Sequence, residues 1–394
     1  MPDRRDFVYF DYAATSAVRP PEVVAAVTRF LTDVGATPGR GGHWLAVEAG
    51  RVALRCRRAL ARLLVLPGDP GRLVFTHNAT HALNTALAGV VGAGDVIVVT
   101  QLDHNAVLRP AHRLCERSGA LCRLVAAAPD GTVDEDALVG ALDGARVLAI
   151  NAASNVLGSA QDVDRLARLG RSAGALVVAD LAQSAGHIPF DATRMPVDLV
   201  ALTGHKALLG PQGTGALWVR DGVAVEPLLT GGTGGASDDR RMPAAYPDHL
   251  EAGTLNSPGI AGWLAGVEWV LARGVDVLRA ELASLKQRLR GGLGSIPGVR
   301  VVSPPAPDGV PIVTVIADAT DPATLAARLD REFGVLTRPG LHCAPEAHRV
   351  LGTLDTGAVR FSLGWASTAE DVDRAIEAVG AIIGSGRVYA TSRG

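Results

Sequence analysis

Lysine is rare in this chain, and one of its two lysines lies where an amine could do chemistry. The sequence has 38 Lys and Arg residues, of which only Lys206 and Lys286 are lysines, leaving 36 arginines (38 minus 2). A coding bias towards arginine explains most of this excess of arginine over lysine. Because a guanidinium is never deprotonated in a protein, a retained lysine can indicate the need for an amine nucleophile. Lys286 lies in a helical stretch where arginine would serve as well, and we assign it no role.

Polar residues follow five apolar segments, at the point where each segment ends. These groups are 77–81 (HNATH), 101–105 (QLDHN), 154–155 (SN), 180–183 (DLAQ) and 203–206 (TGHK). Ligands of open α/β sheets bind beyond the carboxyl ends of the strands, so we expect the five groups to meet at one sheet edge. Taken singly, each group has an ordinary explanation, such as a helix cap at Asn78 or a surface lysine at Lys206. All of these explanations would have to hold at once, which makes them the weaker hypothesis.

Together the five groups suit one cofactor, pyridoxal phosphate. Its aldehyde needs a lysine for a Schiff base, which predicts Lys206. Its pyridine nitrogen needs a carboxylate to stay protonated, which predicts Asp180, and its ring face needs a flat partner, which predicts His104. Its phosphate needs amides at a helix N-terminus and hydroxyl donors. The candidates for that last role are the turn 78–80, Thr203 and His205.

The segments that would position these residues alternate between β and α from about residue 72 to 220. Strands are predicted at 72–76, 95–100, 121–127, 146–151, 175–180, 198–203 and 215–220. Helical periodicity is found at 79–90, 105–118, 134–142 and 162–173. Several of the strands are continuously apolar, as in strands covered on both faces. The pattern predicts an α/β fold around a mainly parallel seven-stranded sheet.

The pattern changes after residue 220, which predicts a second domain. Residues 230–243 are polar and rich in glycine, which is typical of a long loop. A long or broken helical stretch follows at 258–293, then a strand near 311–317 and helices near 321–332 and 368–384. We predict a large α/β domain over 15–255, a smaller α+β domain formed by 1–14 and 256–384, and a loose tail at 385–394.

The composition excludes several classes of protein. With 394 residues, 48% of them hydrophobic, the chain is long enough for two domains and is not disordered. A net charge of −2 without basic blocks argues against nucleic acid as a partner. No apolar run suits a signal peptide or a bilayer span, and the four cysteines form no pair typical of zinc or disulfide frameworks. We expect a soluble, cytoplasmic protein without a metal or membrane contact.

Two segments are similar to motifs of a known family. Residues 203–215 (TGHKALLGPQGTG) resemble the segment that carries a Schiff-base lysine. Asp180 and Gln183 resemble the pair that contacts the pyridine nitrogen and the phenolate oxygen. The sequence is therefore identified, from Phe10 to about Ile383, as similar to the aminotransferase class V group of fold-type I enzymes, in its cysteine desulfurase and selenocysteine lyase branch. The resemblance implies pyridoxal 5'-phosphate as the cofactor.

Other parts of the resemblance imply further contacts with the cofactor. The turn with Ala79 and Thr80 resembles the phosphate-binding turn, and Asn155 resembles an asparagine that faces both cofactor and substrate. Residues 251–254 (EAGT) resemble a motif whose threonine, here Thr254, reaches the phosphate of the neighbouring subunit. The resemblance thus implies a homodimer with shared active sites.

The C-terminal part of the resemblance concerns the reaction. Residues 338–345 (RPGLHCAP) resemble a loop with a persulfide-forming cysteine, which predicts an exposed, nucleophilic Cys343. Arg338 and His342 are candidates to stabilise its thiolate, and we also assign Arg338 to substrate binding. Arg360 resembles the arginine that binds the substrate α-carboxylate, a task that suits a bidentate guanidinium.

These roles predict a desulfurase that converts L-cysteine to L-alanine. Lys206 would remove the α-proton, Cys343 would take the sulfur as a persulfide, and His104 would handle protons near the substrate thiol. A sulfur-acceptor protein is then a possible partner. A C–S lyase, an epimerase or an aminotransferase on another amino acid remains an alternative. A Rossmann-type nucleotide-binding protein would need glycines in the turn 76–80, which has none, and a catalytically silent sulfur carrier would be colourless.

Overall fold

The structure is built on a seven-stranded, a four-stranded and a two-stranded sheet. The computed structural model describes residues 7–39, 41–235, 238–305 and 308–391. The strands are β1 Val8–Tyr9, β2 Leu73–Thr76, β3 Val96–Thr100, β4 Leu121–Val125, β5 Ala145–Asn151, β6 Leu176–Asp180, β7 Leu199–Thr203, β8 Gly215–Val219, β9 Val299–Val301, β10 Ile312–Ala317, β11 Val335–Leu336, β12 Arg338–Gly340 and β13 Ala358–Ser362. The helices are α1 Pro21–Arg29, α2 Trp44–Leu63, α3 Ala79–Val90, α4 Asn105–Ser118, α5 Glu135–Ala141, α6 Val163–Ser172, α7 Ser257–Arg273, α8 Val275–Gly294, α9 Pro322–Phe333, α10 Pro345–Val350 and α11 Ala369–Thr391.

The large sheet confirms the predicted α/β fold. Its strand order is β2-β8-β7-β6-β5-β3-β4, and only β8 runs antiparallel to its neighbours. All residues of β2, β3, β7 and β8 are buried, because helices cover both faces of the sheet. β4 lies at the edge and is mostly exposed, and it ends at Val125 rather than at the predicted residue 127.

The register of the central strands places their polar ends side by side. Asn151 at the end of β5 pairs with Asp180 at the end of β6. β8 runs the other way, so its first residue, Gly215, lies opposite both Thr76 and Thr203 at the ends of β2 and β7. The carboxyl edge of this sheet is therefore where the predicted polar groups meet.

The four-stranded sheet, in the order β12-β13-β10-β9, has a core of its own with α8, α9 and α11. The N-terminal segment joins it: β1 pairs in parallel with β11, and Phe10 packs on Phe361 with ring centroids 6.3 Å apart. The division into domains at 15–255 and 256–384 stays a prediction, and residues 1–6 of that assignment lie outside the described residues.

One helical prediction is confirmed and another needs a correction. The stretch 258–293, predicted as long or broken, is broken into two helices, because Gly274 between α7 and α8 has a φ of 85°, which is incompatible with a continuous helix. α11 runs to Thr391, so residues 385–391 are helical rather than a loose tail, and the rest of that tail, 392–394, lies outside the described residues. In the described part of the chain, no helix is long and apolar enough to cross a bilayer.

Lys286 is also placed differently from our expectation. It is only 1% exposed, and its Nζ donates a hydrogen bond to the carbonyl of Asp308 at 2.8 Å. Burial lowers its pKa to about 8. Arginine would not serve as well there, since a larger group with a permanent charge would have to occupy the same buried space.

Candidate active site

A cavity of about 470 Å³ lies at the carboxyl edge of the seven-stranded sheet. It is lined by residues from all five polar groups, because the strands that precede them end at the same edge. Those predicted from the sequence are Ala79, Thr80, His104, Asn155, Asp180, Gln183, Thr203, His205 and Lys206. Asn151, which we did not predict, lines it too.

The N-terminus of α3 forms one wall of the cavity. The Asn78 side chain caps this helix by accepting the N–H of His81 at 2.9 Å, as its residue type suggested. The start of β8 touches the same turn so closely that a Cβ on Gly215 would lie 2.6 Å from the Cα of Asn78. Helix N-terminal amides without internal partners, next to the exposed Thr80, suit an anionic group.

Lys206 follows β7 and is held by the N-terminal segment. The hydroxyl of Ser16 donates to its carbonyl at 2.8 Å. Burial lowers the pKa of the Lys206 ammonium to about 8, and the negative charge of Asp180 opposes that shift while Arg360 adds to it. The amine therefore loses its proton much nearer to neutral pH than an exposed lysine does.

Asp180 is a buried carboxyl whose negative charge is little compensated by its neighbours. Its Oδ1 accepts the N–H of Ala182 at 2.9 Å. Burial raises its pKa, while that hydrogen bond and the Lys206 charge lower it. A protonated ring nitrogen would supply the cation that such a carboxylate needs. Gln183 beside it donates from Nε2 to the carbonyl of Ala13 at 3.0 Å.

His104 combines a structural contact with a place in the cavity. Its Nδ1 accepts the N–H of Ala106 at 3.0 Å, which caps α4. Burial and the nearby charge of Lys206 lower the pKa of His104 to about 4, so the ring is neutral at pH 7. With Nδ1 accepting, we assign the ring proton to Nε2. His104 can therefore donate a hydrogen bond into the site.

Arg360 lies beside Asn155 and is 1% exposed, so it is not a surface ion pair. One of its terminal nitrogens donates to the carbonyl of Asn155 at 3.0 Å and the other to Asp11 Oδ1 at 2.8 Å. Asp11 was not predicted as a partner of Arg360, because a contact across 349 residues leaves no local signal in the sequence.

The Cys343 thiol is exposed, as predicted, and lies on an unusual turn. His342 and Cys343 have φ angles of 52° and 57°, in the left-handed region. The turn is closed by the N–H of Ala344, which donates to the carbonyl of Leu341 at 3.0 Å. Two consecutive residues with side chains in this region cost roughly 1–2 kcal/mol each, so other contacts must hold them there.

Two contacts connect this turn to segments that line the cavity, and a third places a positive charge beside the thiol. The carbonyl of Cys343 accepts the N–H of Asn105, the residue after His104, at 2.8 Å. The carbonyl of His342 accepts the Asn155 amide at 2.6 Å. A terminal nitrogen of Arg338 lies 4.0 Å from the Cys343 Sγ. The thiol is thus carried by a loop bonded to two of the segments that line the cavity.

His342 cannot stabilise a thiolate as a cation, which corrects our expectation. Both of its ring nitrogens are engaged, one with the carbonyl of Arg338 at 2.9 Å and the other with His348 at 3.2 Å. Burial lowers the pKa of His342 to about 3. Of the two candidates, only Arg338 carries a positive charge near Cys343.

Thr254 does not line this cavity. It is exposed and lines a neighbouring cavity of about 490 Å³, together with His77, His81 and Gly213. Within one chain, therefore, Thr254 is separated from the residues around Lys206. Its predicted role concerns a second subunit and stays a prediction.

The sequence matches a family model described as Aminotransferase class-V over residues 8–375. The chain belongs to this family. A relative from Methanothermobacter thermautotrophicus, named a probable cysteine desulfurase, is 33% identical over 98% of this chain and 97% of its own length. The structure of a cysteine desulfurase from Thermococcus onnurineus NA1 superposes with a TM-score of 0.90 at 28% identity, covering 96% of this chain and 95% of that one. The structure of a cysteine desulfurase from Escherichia coli superposes with a TM-score of 0.84 at 29% identity, covering 95% of this chain and 94% of that one.

Membership of this family implies an enzyme that depends on pyridoxal phosphate, and the residues present fit that cofactor. The donor set combines a buried amine of lowered pKa, a buried carboxyl and the N-terminus of a helix. Among the described residues, the buried polar atoms without a hydrogen-bond partner include His205 Nδ1 and Asn155 Oδ1, which line the cavity, and Arg360 Nε beside Asn155. Buried polar atoms are normally paired, so these three favour a bound cofactor and substrate.

Proposed function

We propose that this enzyme is a cysteine desulfurase, which takes the sulfur of L-cysteine onto Cys343 and releases L-alanine. The observation that carries the proposal is the position of the thiol. Cys343 is exposed, and its loop is hydrogen-bonded to Asn105 and Asn155 at the edge of the Lys206 cavity. The names of the relatives support the same activity.

In this proposal pyridoxal phosphate, when bound, draws electrons from the substrate and so makes its α-proton acidic. Lys206 would hold the aldehyde carbon, Asp180 the ring nitrogen and Gln183 the phenolate oxygen. His104 would lie against the ring face. The phosphate would be held by Ala79, Thr80, Thr203 and His205.

The remaining residues bind the substrate and move its protons. Arg360 would bind the α-carboxylate through its unpaired Nε edge, with Asn155 beside it. Arg338 would lie near the substrate sulfur, since it lies 4.0 Å from the Cys343 Sγ. The Lys206 amine removes the α-proton, a role that its pKa of about 8 supports near neutral pH. His104 donates a hydrogen bond from Nε2 to the reacting substrate.

The sulfur transfer balances without an external oxidant. The Cys343 thiolate attacks the sulfur of L-cysteine, so an S–S bond forms as the Cβ–S bond breaks. The electron pair of the broken bond stays on carbon, which takes up a proton. The products are L-alanine and a persulfide on Cys343, and the transferred sulfur is oxidised as the carbon is reduced.

The proposal extends to the assembly and the compartment. We propose a homodimer in which Thr254 of each chain reaches the cofactor phosphate of the other, which would give this exposed threonine a role. All four cysteines are unpaired, which supports a reducing compartment such as the cytoplasm. A sulfur-acceptor protein would then collect the persulfide sulfur from the exposed Cys343. The domain division at residue 255 is also part of the proposal.

The test compares Cys343→Ser with Cys122→Ser, which changes another exposed cysteine far along the chain. Both purified variants should be yellow, and borohydride should fix the cofactor on the peptide that contains Lys206. We expect Cys343→Ser to lose alanine and persulfide formation from L-cysteine, while Cys122→Ser keeps both. If Cys343→Ser releases sulfide together with pyruvate and ammonia, and no alanine, at the wild-type rate, the enzyme is a C–S lyase. Turnover of another amino acid alone would indicate an aminotransferase or an epimerase.

A further inference from the structure

A chain of buried hydrogen bonds lies behind the turn that carries Cys343. The hydroxyl of Thr353 lies 2.8 Å from His348 Nδ1, and His348 Nε2 lies 3.2 Å from His342 Nδ1. The chain ends where His342 Nε2 meets the carbonyl of Arg338 at 2.9 Å. The three side chains that link these ends are buried, and the two rings are stacked with centroids 5.4 Å apart.

The Thr353 hydroxyl also lies 3.4 Å from the carbonyl of His348, but His348 Nδ1 is closer, and with the two rings neutral only one arrangement of protons satisfies this chain. The carbonyl of Arg338 can only accept, so His342 Nε2 donates and, in a neutral ring, Nδ1 accepts. His348 must then donate from Nε2 and accept at Nδ1, which leaves Thr353 as the donor at the far end. Both rings are neutral, since burial lowers the pKa of His342 to about 3 and that of His348 to about 4.

The chain connects the two ends of the loop that holds the nucleophile. Arg338 begins β12, Cys343 follows on the left-handed turn, and His348 lies on α10 beyond it. The ring of His342 is thus held on both sides while its own backbone adopts a φ of 52°. A residue with a side chain leaves that region readily unless its surroundings hold it there.

We propose that Thr353 and His348 are positioning residues for Cys343: by orienting the ring of His342 they hold the left-handed turn, and with it the thiol beside Arg338. This inference rests on the proposed function for its catalytic consequence. Neither residue touches the cavity around Lys206, so neither is a catalytic residue. The hydroxyl of Thr353 sets the position of the ring protons, and the rings set the backbone of the turn.

The experiment uses Thr353→Val and Thr353→Ser in the holoenzyme. Valine keeps the shape of the Thr353 side chain but leaves His348 Nδ1 without a donor. The proton of the His348 ring can then move from Nε2 to Nδ1. The lone pair of His348 Nε2 would then face the lone pair of His342 Nδ1. Serine keeps the donor. In single turnovers with L-cysteine, we expect persulfide formation to fall at least tenfold in the valine variant and less than twofold in the serine variant. The cofactor colour change on L-cysteine binding should keep its midpoint within twofold in both.

Hydrogen exchange provides a readout that does not depend on the reaction. The N–H of Ala344 closes the turn, so Thr353→Val should speed its exchange at least fivefold while Thr353→Ser leaves it unchanged. A second pair, His348→Asn and His348→Gln, should behave in the same way, because only glutamine reaches His342 with a donor.

The outcomes separate the two hypotheses. If exchange and persulfide formation are unchanged in Thr353→Val, or if serine and valine have equal effects, the positioning role is wrong. A parallel loss of L-cysteine binding would indicate general damage and would also overturn it. If the wild-type enzyme forms no persulfide, the proposed function fails, and exchange at Ala344 still decides whether this chain holds the turn.

Discussion

The ion pair between Arg57 and Glu251 is the interaction whose disruption we expect to destabilise this protein most. Arg57 on α2 donates two hydrogen bonds to Glu251, one to each carboxylate oxygen, both at 2.8 Å. Both side chains are 7% exposed. Glu251 also accepts the N–H of Phe75, and the guanidinium lies over the Phe75 ring, 4.2 Å from its centroid. The pair thus joins α2, β2 and the segment that leads to Thr254.

Replacing Glu251 with Gln removes the negative charge but keeps the shape. The buried charge of Arg57 is then uncompensated, and breaking a buried pair in this way costs roughly 3–5 kcal/mol. At ~2.1 cal/mol/K per residue, a chain of 394 residues has an unfolding entropy of about 0.83 kcal/mol/K. The free-energy loss therefore corresponds to a Tm lower by about 4–6 °C.

The matched control is the exposed pair between Arg55 and Glu268, also anchored on α2. Its two side chains are 59% and 50% exposed, and its N–O distance is 2.9 Å. Glu268→Gln should cost less than about 1 kcal/mol, or about 1 °C. Calorimetry of the holoenzyme variants checks both values. Equal Tm shifts for Glu251→Gln and Glu268→Gln would refute the argument that burial sets the strength of the effect. The double variant Arg57→Met/Glu251→Gln should recover most of the loss, because no buried charge remains.

Three other residues lead to predictions on cofactor binding and stability. Because the pKa of Lys206 is lowered to about 8, the rate at which pyridoxal phosphate turns the apoenzyme yellow should rise about tenfold per pH unit and level off above pH 8; a rise that continues to pH 10 would contradict this. Gly215→Ala places a Cβ 2.6 Å from the Asn78 Cα, so equilibrium dialysis should show at least tenfold weaker cofactor binding, whereas unchanged affinity would mean that the turn moves freely. Lys286→Met should stabilise the fold by roughly 2 kcal/mol at pH 7. Its pKa falls from 10.5 to about 8 on folding, so the charge penalty is complete below pH 8 and fades towards pH 10.5. Thermal unfolding at pH 7 and pH 10 measures this gain, and an equal gain at both would exclude a charge effect.

The large sheet could be predicted because its strands have a strong local pattern. Buried parallel strands are almost continuously apolar, and each ends at a polar residue where its loop begins, as β6 does at Asp180 and β7 at Thr203. Helices α3 and α4 were predicted with their observed bounds, since helical periodicity is a local signal and Asn78 is a typical cap for α3; the capping role of His104 was not predicted. The α1 and α2 helices and the short strands β9 and β12 were missed, because they are stabilised by packing against distant parts of the chain.

The residues of the candidate site also divide into those that could be predicted from the sequence and those that could not. Lys206, Asp180 and His104 could be found because each lies at or a few residues beyond the end of a strand, and the ends of parallel strands meet at one edge. The contact of Arg360 with Asp11 could not be found, because it joins β13 to the N-terminal segment. Nor could the neutral state of His342, which depends on burial and on a hydrogen bond to His348.

By itself, the sequence determined the seven-stranded α/β fold, the family and the group of residues around Lys206. All of these depend on residue types within short segments, and such local patterns can be recognised directly in the sequence. Only the tertiary structure decided that Lys286 is buried, that α11 continues to Thr391, that Cys343 lies on a left-handed turn, and that two neutral histidines lie behind it. The physical reason is that burial, protonation and backbone strain depend on the neighbours that folding supplies, and these are often far apart along the chain.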